Sequence, residues 1–125
     1  MTTTPKPTIM VIEDDADVLE IITTILQDAG YQVTGGEGIT ALYGIEKDPP
    51  ALLLIDNWLS GEKTGHDACY QLKQTPATAH IPVILISATI NLAETAERCG
   101  ADGFIVKPFD TDALLRQVQA FIQSK

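Results

Sequence analysis

Six residues carry the chemistry in this sequence. Glu13, Asp14 and Asp15 form one block, and Asp56, Ser87 and Lys107 each stand at the end of a short apolar run. Carboxylates packed together repel one another and do not all stay ionised cheaply. A hard divalent cation relieves that conflict, and Mg²⁺ takes one or two carboxylates together with water and phosphate oxygens. A carboxylate is also a nucleophile that can form an aspartyl-phosphate. A phosphoryl group in transfer spreads its charge over three oxygens. A metal, an ammonium and a hydroxyl can each stabilise one of them. The chain supplies the carboxylates for a metal, the ammonium and the hydroxyl, provided that the fold brings them together.

The elements that must do so alternate along the chain. Ile9-Met10-Val11-Ile12 is a short, mostly β-branched run that suits a strand buried on both faces. Val18, Ile22, Ile25 and Ala29 then fall on one helical face, with Leu19 and Leu26 beside them and Gly30 placed to stop the helix. Tyr31 to Thr34 reads as an edge strand. Ile39, Leu42 and Ile45 mark a second short helix, stopped before Pro49 and Pro50. Ala51 to Ile55 is the most continuous apolar run and reads as a central strand ending at Asp56. A polar loop, Asn57 to Thr64, leads to a third helix from about His66 to Gln74. Pro82 to Ile86 is a buried strand ending at Ser87, Leu92 to Cys99 a helix closed by Gly100, and Phe104 to Val106 a last strand ending at Lys107. The final helix starts near Asp110 and is expected to turn Leu114, Val118 and Phe121 inward, with Leu115 and Ile122 adjacent.

Five β-α units in strict alternation imply an α/β fold, a parallel sheet with helices on both faces. The carboxyl ends of parallel strands share one edge, and ligands bind there. The acidic block, Asp56, Ser87 and Lys107 therefore converge. Taken singly, each has an ordinary explanation: an acid after a strand caps the next helix, a Ser closes a turn, a Lys is solvated. Asp15 is read in that way, as a helix N-cap, in preference to a second acidic-site residue. All of them at successive strand ends is much harder to explain as coincidence.

Composition narrows the classes. A net charge of −9 and a pI near 4.4 oppose broad nucleic-acid binding and docking on anionic membranes, and suit a cation or a basic partner. Cys69 and Cys99 form no CxxC and read as small buried side chains. The polar start, with Pro5 and Pro7, has no signal-peptide core, so a cytoplasmic location is expected. The 125 residues suit a single domain with its core at about 8–122.

Four segments carry a family resemblance: Ile9-Met10-Val11-Ile12-Glu13-Asp14-Asp15, Leu53-Leu54-Ile55-Asp56, the run from His80 to Ala88, and the run from Gly100 to Phe109. In order and spacing they resemble response-regulator receiver domains of two-component signalling, from about Thr8 to Ile122. The resemblance implies a doubly wound, flavodoxin-like (βα)5 sheet of strand order 2-1-3-4-5. It implies that Asp56 is the phosphoacceptor and that Mg²⁺ is held by Asp56 and Asp14, by Glu13 through water, and by the backbone carbonyl of Trp58. Ser87 is then the switch hydroxyl, Lys107 the partner of the phosphoryl oxygens, and Phe104 the aromatic switch. Ala88 is small enough for close approach, and Lys107-Pro108 is expected to be cis. The donor would be a histidine kinase or a histidine-phosphotransfer protein. A downstream protein would read the face formed by the fourth helix, fifth strand and fifth helix. Such a chain is a signalling switch and not a metabolic enzyme. No room is left for an output domain, so it is expected to be a stand-alone regulator or a receiver taken from a longer protein such as a hybrid kinase.

Two departures from the family pattern stand beside Asp56. Leu59-Ser60 replaces a common Met-Pro, and Gly65 comes about one residue late, which lengthens the loop. Trp58 is large, and its ring is expected to shield the phosphoryl group from water. His66 and His80 read as ordinary loop or helix-start residues, not as phosphodonors. The alternative reading is a receiver fold that is never phosphorylated and serves as an interaction module, yet no acid, acceptor or lysine is missing. A haloacid-dehalogenase-type phosphatase needs an Asp where Trp58 stands. A flavodoxin needs a phosphate loop that the first strand lacks.

Overall fold

The computed structural model describes residues 7–57, 64–88 and 91–122. Five strands form one parallel sheet: β1 (Thr8–Ile12), β2 (Gln32–Gly36), β3 (Leu52–Asp56), β4 (Val83–Ser87) and β5 (Gly103–Val106). Their order is β2-β1-β3-β4-β5. Every residue of β3 and β4 is buried, because helices cover both faces of the centre, whereas β2 and β5 are half-open edges.

The period of two along each strand divides the core. Ile9, Val11, Leu52, Leu54, Ile84, Ile86 and Ile105 point to one face, where α1 (Ala16–Asp28) and α4 (Thr111–Phe121) pack. Ile12, Leu53, Ile55, Val83 and Leu85 point to the other, against α2 (Gly65–Gln74) and α3 (Leu92–Cys99). Asp15 is the N-cap of α1, its carboxylate accepting from the backbone N–H of Asp17 and Val18 at 2.9 and 3.3 Å. Gly30 follows α1 at φ 101° and Gly100 closes α3 at φ 81°, both in the left-handed region that glycine enters without strain. Cys69 and Cys99 are buried free thiols between α2 and α3.

Two expectations need correction. The second helix is a single 3₁₀ turn, Ile39–Leu42, followed by further i→i+3 bonds, Ile45 N–H to Leu42 and Lys47 N–H to Gly44. Gly44 at φ 82° interrupts any α-helix there, and β-branched Ile39 and Thr40 favour one only weakly. Leu42 and Ile45 are nonetheless buried, so the apolar spacing was informative about the core and not about the helix type. Phe121 is the second correction. It remains 36% exposed, while Ile122, where the chain leaves α4 in an extended conformation, takes the inner place. The Phe121 ring lies against Gly103 at the edge of the sheet. Among the described residues no helix is long and apolar enough to cross a membrane.

Candidate functional site

The parallel sheet delivers the predicted residues to one edge. Ile12 pairs with Ile55, Asp56 with Ile86, and Ser87 with Val106, so the ends of β1, β3, β4 and β5 lie side by side. The ladder runs one residue further: Glu13 N–H donates to Gly36, Asn57 N–H to Ile86 and Lys107 N–H to Ser87, at 2.9–3.0 Å. That extension fixes the backbone under each chemical group.

Glu13, Asp14 and Asp56 each bring a carboxylate oxygen within 4.8 Å of the others. Glu13 and Asp56 are buried and Asp14 is exposed. Lys107 Nζ reaches over them, 2.7 Å from Glu13 Oε1 and 3.4 Å from Asp56 Oδ2. Ser87 is buried at the neighbouring strand end. Lys107-Pro108 is cis, as expected. Phe104 is on β5 opposite Leu85 and partly exposed, hence turned outward. Trp58 and the loop from 58 to 63 lie outside the described residues, so the carbonyl ligand, the shielding ring and the loop's length are not placed.

The electrostatics follow from one cation among three acids. Burial raises the Glu13 carboxyl, the neighbouring Asp56 raises it further, and Lys107 only partly offsets them, leaving a pKa of about 7 against 4.5. Burial alone would lower the Lys107 ammonium, but Glu13 and Asp56 overcome that and hold it above its usual value. A set of oxygen ligands with this excess of negative charge fits a hard divalent cation.

A pH dependence follows. Between pH 4.5 and about 7 the folded protein binds a proton at Glu13 that the unfolded chain does not. Metal-free stability should therefore fall as pH rises through this window, by about 2–3 kcal/mol. Mg²⁺, which favours the ionised cluster, should restore it. Urea unfolding at about pH 5.5 and 8, with and without Mg²⁺, measures both effects. A metal-free protein that grows more stable over that interval would contradict the assignment.

Two features at the site were not foreseen. Asn57 is buried and bonded to His66, and Gly65 packs directly on the Asp56 carbonyl. A second polar residue after Asp56, at the end of the most continuous apolar run, was the available signal for the first. Glu13 was expected near the metal through water, and its tight pairing with Lys107 is an addition to that picture.

Comparison with known proteins agrees with this geometry. The family profile described as "Response regulator receiver domain" matches residues 9–119. The phosphate regulon transcriptional regulatory protein PhoB of Rhizobium meliloti is 32% identical over 94% of this chain and 52% of its own length. The DNA-binding response regulator MtrA of Mycobacterium tuberculosis is 31% identical over 94% of this chain and 51% of its own. The chain thus spans about half the length of these curated relatives. Among solved structures, the receiver domain of the sensor histidine kinase PA1611 of Pseudomonas aeruginosa, with a magnesium ion in its active-site cleft, aligns with TM-score 0.84 at 25% identity over 96% of this chain and 100% of that one. The signal receiver domain of a signal transduction histidine kinase from Syntrophus aciditrophicus aligns with TM-score 0.83 at 30% identity, over 92% and 89%.

Proposed function

The chain belongs to the family of response regulator receiver domains, and we propose that Asp56 is its phosphoacceptor, taking a phosphoryl group from a phosphohistidine in a Mg²⁺-dependent step. The observation that carries this reading is the placement of Asp56: a buried carboxylate at a strand end, 3.4 Å from an ammonium and within 4.8 Å of two further acids. The donor's P–N bond breaks as an Asp56 carboxylate oxygen forms the new P–O bond, and the donor ring nitrogen keeps the electron pair. Asp14 and Asp56 would hold Mg²⁺, with Glu13 behind them. The cation, when bound, would neutralise charge developing on the phosphoryl oxygens. Lys107 is then free to leave Asp56 and pair with a phosphoryl oxygen, and the Ser87 hydroxyl takes another.

The consequence is a switch. Once Ser87 turns toward the phosphoryl group, Phe104 gains room to turn inward, and the face made by α3, β5 and α4 changes shape. Phe104, Val106 and Phe121, all partly exposed near β5, supply the apolar part of that face for a downstream protein. The donor in this reading is a histidine kinase or a histidine-phosphotransfer protein. The charge of −9 disfavours nucleic-acid backbone as a direct ligand of this domain. A cytoplasmic signalling role, without metabolic turnover, is consistent with these features.

The test is intact mass after treatment with acetyl phosphate and Mg²⁺. One phosphoryl group should be gained, and chelation of the metal should prevent it. No adduct with any donor would turn the reading toward an unphosphorylated interaction module.

A further inference from the structure

The buried run of β3 does not stop at the acceptor. Asn57, the next residue, is only 2% exposed. A carboxamide placed there is costly unless its polar atoms are paired. The backbone N–H of His66 donates to Asn57 Oδ1 at 3.0 Å, and His66 Nδ1 lies 2.7 Å from the same oxygen. A backbone N–H can only donate, which fixes that atom as the amide oxygen. The oxygen can only accept, so the imidazole proton is on Nδ1. The Asn57 carbonyl in turn accepts from Gly65 N–H at 2.9 Å. Thr64, which caps α2 in a reciprocal pair with Asp67, brings its hydroxyl within 3.0 Å of the same imidazole nitrogen. The chain therefore leaves the acceptor at Asn57 and returns at Thr64, and one imidazole bridges both points.

We propose that His66 is a positioning residue for the Asp56 site, acting through Asn57. Its Nδ1–H···Oδ1 bond ties the start of α2 to the residue that follows the acceptor. It thereby holds the Asp56–Asn57 backbone where the carboxylate can share a cation with Asp14. This inference rests on the reading of Asp56 as a Mg²⁺-dependent acceptor and adds a residue that touches neither the metal nor the phosphoryl group.

The test is Mg²⁺ affinity by calorimetric titration of the full chain, alongside thermal unfolding. The His66 side chain is 38% exposed, so its replacement should leave the fold intact. His66→Leu and His66→Ala, which lack the donor, should weaken Mg²⁺ binding by about tenfold, the equivalent of one hydrogen bond. His66→Asn should recover most of that loss, since its amide nitrogen stands where Nδ1 stood. Asn57→Ala should weaken binding similarly, and adding His66→Ala to it should cause little further loss, as expected of two residues acting through one contact. Nitrogen NMR of the wild-type ring at about pH 8 should show the proton on Nδ1.

Unchanged affinity in the Leu and Ala variants overturns the inference. So does failure of the Asn variant to recover it, or a ring protonated only on Nε2. A purely structural role would lower the melting temperature and leave Mg²⁺ affinity alone, which would also overturn it. If the wild type bound no Mg²⁺ at all, the reading of Asp56 would fail and this inference with it. Normal wild-type binding with indifferent variants defeats this inference alone.

Discussion

Asp56→Asn is expected to take up no phosphoryl group from any donor and to be more stable than the wild type without metal at about pH 8. The first effect is chemical. The amide keeps nearly the shape of the carboxylate, but its nitrogen lone pair is delocalised and its oxygen carries no full charge. Neither atom is a nucleophile toward phosphorus. The second effect is electrostatic. Glu13 is pushed to a pKa of about 7 first by burial and then by Asp56, through a hydrogen bond and through charge. Removing the Asp56 charge leaves the 2.7 Å contact of Lys107 with Glu13 in place. The Glu13 pKa then falls back toward its unfolded value.

A raised folded pKa on an acid lowers stability above that pKa, so a smaller rise lowers it less. The gain should be about 1 kcal/mol at pH 8 and should vanish near pH 5, where Glu13 is protonated in both proteins. Intact mass after acetyl phosphate treatment and urea unfolding at the two pH values measure the pair of effects. A phosphoryl group on the Asn variant would move the acceptor elsewhere, to Glu13 or Asp14 in the same cluster. A loss of stability at pH 8 would mean that Asp56 contributes more through contacts than it costs through repulsion.

Most of this site could be read in the sequence because strand ends are easy to read. Asp56, Ser87 and Lys107 each close an apolar run, and a parallel sheet puts all such ends on one edge. The Asp15 cap was equally local, since capping depends only on the residues that follow. What stayed hidden depended on contacts between distant segments or on competition within one. The apolar spacing of Leu42 and Ile45 suits a helix, but Gly44 at φ 82° selected a 3₁₀ turn. Phe121 and Ile122 are both apolar, and only the point at which the chain leaves α4 decides which faces inward. The Asn57–His66 pair joins residues nine apart in sequence, and neither type alone signals the other.

Gly65→Ala is expected to destabilise the fold by about 3 kcal/mol, through overpacking against backbone. A Cβ at Gly65 would overlap the carbonyl oxygen of Asp56 and lie 2.8 Å from its carbon and 2.9 Å from Asn57 Cα. These are main-chain atoms, so no side-chain rotation relieves the contact. Gly38→Ala is the control: nothing lies within 4 Å of its added Cβ, and its extended backbone suits any residue. That variant should stay within about 0.5 kcal/mol of the wild type. Either β3 or α2 must yield to the new methyl. β3 is held by ladders to β1 and β4 on its two sides, whereas the start of α2 is held by Gly65 N–H to Asn57 and by the His66 contacts. The helix start should therefore move, and His66 should leave Asn57 with it. Stability then falls together with Mg²⁺ affinity, the latter by about the tenfold expected of one lost hydrogen bond, because the Asp56–Asn57 backbone is held less firmly, while the Asp56 carboxylate still accepts a phosphoryl group. Thermal unfolding should register the change as a drop of roughly 10–20 °C. A Gly65→Ala protein with wild-type melting and wild-type Mg²⁺ binding would show that α2 and β3 are not in contact as described.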